Sequence, residues 1–168
     1  DWRKPEPSWP EIEKLPHAEA IVSSSIQGQR LHVWSKGGGH NVYQCKTGEL
    51  VESAIIPFDG ILESVYSCDE EHLLCYESGY VAWYNVQGVQ KTVKFNGPVQ
   101  HALWNRHQAS WHIAGWREEA CISQLEHESK QLDEIPMQII QHDDTTLLLL
   151  NDGTFLHSAF PITSLAEE

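Results

Sequence analysis

Several things are scarce in this chain. It has one methionine, Met137, and its long straight-chain helix formers thin out after the first fifteen residues, so no helix-length amphipathic segment can be traced. The longest aliphatic run is Leu147–Leu150, far short of the roughly 20 residues a membrane-spanning helix needs, and there is no apolar signal-peptide core. Positive charge is scarce too: 11 Lys and Arg stand against 24 Asp and Glu, a formal net charge of -13. Such a surface repels phosphate backbones and anionic lipid headgroups, which argues against nucleic acid and membranes as partners and suits a basic protein partner. We therefore expect an intracellular protein, cytoplasmic or nuclear. The four cysteines, Cys45, Cys68, Cys75 and Cys121, form no CxxC pair and each sits in an apolar run. They are too sparse for a disulfide scaffold and read as buried thiols, with a Cys68–Cys75 bridge across one hairpin left open.

Catalytic signatures are missing as well. The ten histidines (His17, His32, His40, His72, His101, His107, His112, His127, His142 and His157) are scattered, and even His101 and His107 are too loosely spaced for a local ligand pair, so no metal site is expected. No nucleophile elbow of the GxSxG form is present. Gly37–Gly39 is not followed by the Lys-Ser/Thr of a phosphate loop and reads as a wide hairpin turn. The expectation is a protein without catalytic residues or cofactor.

What is present is a rapid succession of short apolar runs, from Ile21–Ile26 through Phe155–Phe160, rich in Val, Ile, Thr and aromatics. Several alternate with period two, as in "LHVW" and "TVKF", which puts one face inward. The breaks, among them "QGQ", "KGGG", "KTGE", "ESG", "NGP" and "NDG", are turn chemistry. They are too short for crossover helices, so neighbouring strands must pair antiparallel. The runs also repeat. Aligning the last strand of each group makes Pro16, Pro57, Asn96 and Pro136 equivalent, at spacings of 41, 39 and 40 residues. Each unit is then four short strands, a to d. A lone four-stranded meander cannot cover its own faces, and stacking such sheets around an axis covers them.

The segments "GHNVYQCKTGELVESAIIPFDGILESVYS" (39–67) and "SGYVAWYNVQGVQKTVKFNGPVQHALW" (78–104) resemble WD40 repeats, and the resemblance extends from Leu15 to about Phe160. The family's Trp-Asp position holds Tyr43-Gln44 in the first unit and Trp83-Tyr84 in the second. The resemblance implies an all-β propeller of about four blades that displays loops to protein partners. Residues 1–16, with Pro5, Pro7 and Pro10, form an extended arm carrying Trp2 and Trp9 and ending in a d-like strand; residues 17–168 form the repeat domain. The fourth unit lacks a d strand of its own unless the last eight residues supply it. Three closures stand open: a self-closed ring of four blades, half of a ring completed by a second copy through strand exchange, or a piece of a longer propeller, which a first residue other than Met favours.

The expected function is a non-catalytic protein-interaction scaffold within a larger assembly. The rivals are an enzyme or ligand sensor with a site at the central channel mouth, and a structural half-propeller. The a–b turns carry the acidic clusters Asp69-Glu70-Glu71 and Asp143-Asp144, read as solvated loops or as a cation or basic-peptide site. The opposite end gathers the b–c and d–a turns. Together with the arm's Trp2 and Trp9, the expected protein-binding residues there are Phe58, Asp59, Tyr80, Trp116, Arg117, Glu118 and Glu119, the aromatics serving as contact anchors.

Overall fold

A computed structural model of the chain describes residues 20–58, 60–116, 120–124 and 130–157. They form strands and turns, without helix. The first sheet is β1 (Ile21–Gln27), β2 (Arg30–Ser35), β3 (Gly39–Gln44) and β4 (Leu50–Ile55); the second is β5 (Leu62–Cys68), β6 (Glu71–Tyr76), β7 (Tyr80–Asn85) and β8 (Gly88–Lys94). The third is β9 (Val99–Asn105), β10 (Ser110–Trp116), β11 (Ala120–Gln124) and the short β12 (Lys130–Gln131); the fourth is β13 (Gln138–His142), β14 (Thr145–Leu149) and β15 (Phe155–His157). Within each sheet the strands pair in chain order and antiparallel. The first strands of successive sheets lie side by side, β1 against β5, β5 against β9 and β9 against β13. The result is a fan of four meanders whose a strands are innermost, the blade arrangement of a propeller.

Burial follows position in the blade. The second strands are covered in-sheet on both sides and by neighbouring sheets on both faces, so they read as near-continuous apolar runs: every residue of β6 after Glu71 is buried, and every residue of β10 before Trp116. The outer strand β4 is exposed along its whole length, and accordingly carries Glu52 and Ser53. Period-two alternation divides the core into layers. On β6, Leu73 and Cys75 join Val81, Phe95, Trp104, Trp111 and Ile113 between the second and third sheets. Leu74 and Tyr76, on the other face, join Trp34, Ile56, Leu62 and Ala82 between the first and second. A smaller layer, Ala114, Ile139 and Leu148, holds the fourth sheet to the third.

The two ends of the fan differ in chemistry. At the a–b end, three of the four turns have two residues, and their central positions take left-handed φ: Gly28 (61°), Asp69 (52°) with Glu70 (64°), and Asp143 (53°). This twist suits a tight hairpin. Side chains tie these turns from sheet to sheet. Gln27 Oε1 accepts from the Asp69 amide at 2.9 Å, the Asp69 carboxylate pairs with Arg106, and the Arg106 amide donates to Gln141 Oε1 at 3.0 Å. At the b–c end, Gly79 (φ 93°) donates to Tyr76 O at 2.9 Å, and a Cβ there would lie 2.2 Å from Phe95 O.

Two expectations need correction. Cys68 is paired with Glu71 and Cys75 with Ser64, at opposite ends of the β5–β6 hairpin; all four cysteines are free, and Cys45 is exposed rather than buried. Pro57 and Asn96 do follow their d strands as exposed junction residues, but Pro136 is buried at the third junction, five residues beyond the end of the short β12. Pro16, the extended arm, the residues 17–19 and 158–168 of the repeat domain, and every candidate closing strand lie outside the described residues. Among the described residues no hydrogen-bonded strand joins the fourth sheet to the first.

Candidate functional site

At the b–c end, Phe58, Tyr80 and Trp116 arrive from three different sheets. Phe58 follows β4 at the first d–a junction and packs on Tyr76, with ring centroids 4.4 Å apart, and edge-on to Tyr80 at 5.7 Å. Tyr80 opens β7 and remains 41% exposed, with Lys94 Nζ 4.5 Å above its ring. Trp116 closes β10, is 43% exposed, and lies against Gly97, where an added Cβ would come within 3.3 Å of the Trp116 Cβ; its carbonyl accepts from the Asn96 amide at 2.8 Å. Beside them opens a cleft of about 720 Å³, lined by Tyr76, Glu77, Gly79, Lys94, Gly97 and Pro98 among others and by none of the three aromatics themselves. Apolar flat surfaces at the rim and mixed charge within are the ingredients of a protein-contact surface. Trp2, Trp9, Asp59, Arg117, Glu118 and Glu119 lie outside the described residues.

The acidic a–b cluster is not an open patch. Its three carboxylates have separate internal partners: Asp69 meets Arg106, Glu70 Oε2 lies 2.9 Å from His32 Nε2, and Glu71 accepts from Trp83 Nε1 at 2.6 Å and from Asn85 Nδ2 at 3.1 Å. The Arg106 guanidinium, hydrogen bonded to Asp69, holds that carboxyl below the usual range.

Sequence spacing did not suggest what sits between the first two sheets. His32 on β2, His40 on β3 and His72 on β6 converge in the buried layer, each less than a tenth exposed, and each can offer a ring nitrogen such that all three lie within 4.8 Å of one another. Trp34 forms one wall, stacked on His40 at 3.8 Å with the planes 2° apart; Tyr84 stands edge-on to both rings. His32 Nδ1 and His40 Nε2 share a hydrogen bond of 2.9 Å, and His72 Nδ1 shares one of 2.7 Å with Ser67 Oγ. The Glu70 contact to His32 Nε2 is close but bent, and no formed hydrogen bond reaches that nitrogen. Burial, and next the neighbouring His32, push His40 down to about 3; burial, then His32 and His40, do the same to His72. Both rings are therefore neutral at pH 7, the form that offers a lone pair.

A signal was present in the chain. His32, His72 and His112 recur at forty-residue spacing in successive b strands, and His72, second in its strand where the other two are third, turns to the opposite face and so meets His32. Local HxH or HxxxH spacing misses such a set, because a repeat fold brings its members together across blades. The third member is handled differently. His112 is fully buried, and its two nitrogens face Thr146 Oγ1 at 2.6 Å and Gln108 Oε1 at 3.2 Å. Asn105 Nδ2 donates to the same threonine at 3.1 Å.

No protein-family model matches the chain, and no curated protein matches it in sequence. Solved structures do match in three dimensions. The β-propeller domain of Cps50 (Swd1) from Myceliophteria thermophila superposes with a TM-score of 0.57 at 14% identity, over 79% of this chain and 49% of that one. The WD40 β-propeller domain of Doa1 gives 0.56 at 10% identity, over 84% and 51%. The computationally designed Ika4 protein gives 0.54 at 12% identity, over 84% and 92%. The chain thus spans about half the length of the two propeller domains, Cps50 and Doa1. Consecutive antiparallel meanders, innermost a strands and this likeness give the chain a fold built of β-propeller blades, similar in structure to WD40 propeller domains.

Proposed function

We propose that the chain is a non-catalytic protein-interaction platform whose binding face is the b–c end of the fan. The observation that carries this is the placement of Phe58, Tyr80 and Trp116 at one end of the fan, each against a residue that lines the cleft (Tyr76, Lys94 and Gly97), two of them more than 40% exposed. The blade stack fixes the backbone that carries them, so binding has only their side chains left to order and their apolar area can act as anchors. With a formal charge of -13 on the whole chain, a basic partner surface is favoured. The test is affinity capture from native extract with the double variant Tyr80→Ala, Trp116→Ala beside the wild type and His107→Ala, an exposed change at the opposite end. The double variant should lose a partner that the other two retain, by roughly tenfold or more, with its circular dichroism unchanged. Equal capture by all three proteins refutes the face.

A second reading concerns the ring itself. The chain covers 49% and 51% of the two propeller domains but 92% of the designed Ika4 protein, so a second copy, another chain or further blades of a longer propeller are the three ways the ring would be completed if four blades do not close it. Light scattering with and without residues 1–16 tests strand exchange. A monomeric mass that is the same for both, with unchanged melting, refutes it.

A further inference from the structure

We propose that His32, His40 and His72 form a zinc site that clamps the first sheet to the second. The ligands come from β2 and β3 on one side and β6 on the other, so one ion would cross-link two blades. Imidazole nitrogen suits zinc, which is held tetrahedrally at about 2.0–2.1 Å per nitrogen, so the three histidines would fill three positions and a water the fourth. That geometry sets neighbouring ligand nitrogens about 3.3 Å apart. The His32 Nδ1 and His40 Nε2 atoms are 2.9 Å apart and need to part by a few tenths of an ångström, while the set as a whole, spread within 4.8 Å, has to close around the ion.

The outward nitrogens strengthen the assignment. Zinc-bound histidines characteristically direct the second ring nitrogen to a carboxylate or another oxygen, which fixes ring orientation and tautomer. His72 has Ser67 Oγ in that place at 2.7 Å, and His32 has Glu70 Oε2 at 2.9 Å. Glu70 is held there by a left-handed backbone, φ 64°, which is unusual for a glutamate. His32 is 2% exposed, yet its Nε2 lacks a formed hydrogen bond. A metal on Nδ1 would leave the proton on Nε2, facing the Glu70 carboxylate. His112 is the internal contrast, since Thr146 and Gln108 meet both of its nitrogens with no role left for an ion.

The site is tested on the full chain, stripped with chelator and titrated with zinc chloride by calorimetry and by thermal melting. We expect one zinc per chain with submicromolar affinity, and a melting temperature raised by about 5 °C or more when free zinc is a hundredfold above Kd. His40→Gln and His72→Gln should weaken binding at least a hundredfold, and Glu70→Gln, on an exposed turn, by about 10- to 100-fold. His112→Gln should bind as the wild type does, which separates this cluster from other histidines. Cobalt substitution of the wild type should give the intense visible bands of a tetrahedral site, a readout that stands even if a histidine variant fails to fold. No zinc equivalent bound below 100 µM, a cobalt spectrum of octahedral type, or wild-type affinity in both His40→Gln and His72→Gln would overturn the proposal.

Discussion

Trp34 shows how much one side chain can carry. It is fully buried, stacked on His40 and part of the layer between two blades. Trp34→Ala should cost about 3–5 kcal/mol in urea unfolding; a cost under 1 kcal/mol would mean that this layer is not packed as described. Glycines separate backbone strain from crowding. Gly28 has left-handed φ with nothing within 4 Å of a new Cβ, whereas at Gly79 that atom meets a backbone oxygen at 2.2 Å. Gly28→Ala should therefore cost about 1 kcal/mol and Gly79→Ala clearly more, about 2–3 kcal/mol, both read from denaturation midpoints. The histidines set a pH dependence in metal-free protein. Folding lowers His40 and His72 from 6.5 to about 3, so between those values the unfolded chain binds protons that the folded chain refuses. Stability is complete above pH 6.5 and falls as pH drops toward 3, by roughly 2 kcal/mol per ring at pH 5. Urea midpoints at pH 7.5 and 5 measure this, and a flat profile would show that the rings are solvated.

At the scale of the element, the strands were legible because each blade repeats the same arrangement of apolar runs and turn residues. The observed strands follow the succession of apolar runs from Ile21–Ile26 to Phe155–Phe160, most with small shifts at the ends. The departures have local causes. β12 is described over two residues, Lys130–Gln131, and the chain then turns through residues 132–135 to the buried Pro136. The Cys68–Cys75 bridge fails because antiparallel register pairs the first residue of β6 with the last of β5. Protection should be graded across elements. β6 and β7 lie between two apolar layers, whereas the fourth sheet rests on three buried residues and all of β15 is exposed. Amide exchange should be slowest in β6 and β7 and faster by at least tenfold in β13 to β15. Uniform protection would argue that the four blades unfold as one unit.

At the scale of the molecule, charge and blade stacking oppose each other. Of the acidic excess, only a few carboxylates have cationic partners among the described residues, Arg106 with Asp69 and Arg30 with Glu52 being two such pairs. The rest repel across the fan. Raising salt from about 10 mM to 150 mM should screen this and lift the melting temperature by a few degrees; a lower melting temperature in salt would mean that the ion pairs outweigh the repulsion.

The sequence by itself determined the architecture: period-two apolar runs and glycine-rich gaps too short for crossovers leave antiparallel meanders, and the forty-residue period leaves their repetition around an axis. It also placed Phe58, Tyr80 and Trp116 beside turns, as the structure has them, since aromatics beside turns are visible in a string of letters; their part in binding is the proposal made above. Only the tertiary structure decided which distant residues meet. His32 and His72 stand one blade apart in the chain and touch because equivalent strands of adjacent blades pack face to face. The acidic run Asp69-Glu70-Glu71 is likewise a turn whose three carboxylates point to three separate partners. Local pattern reports which face of a strand is buried, whereas packing between sheets decides what that face is buried against.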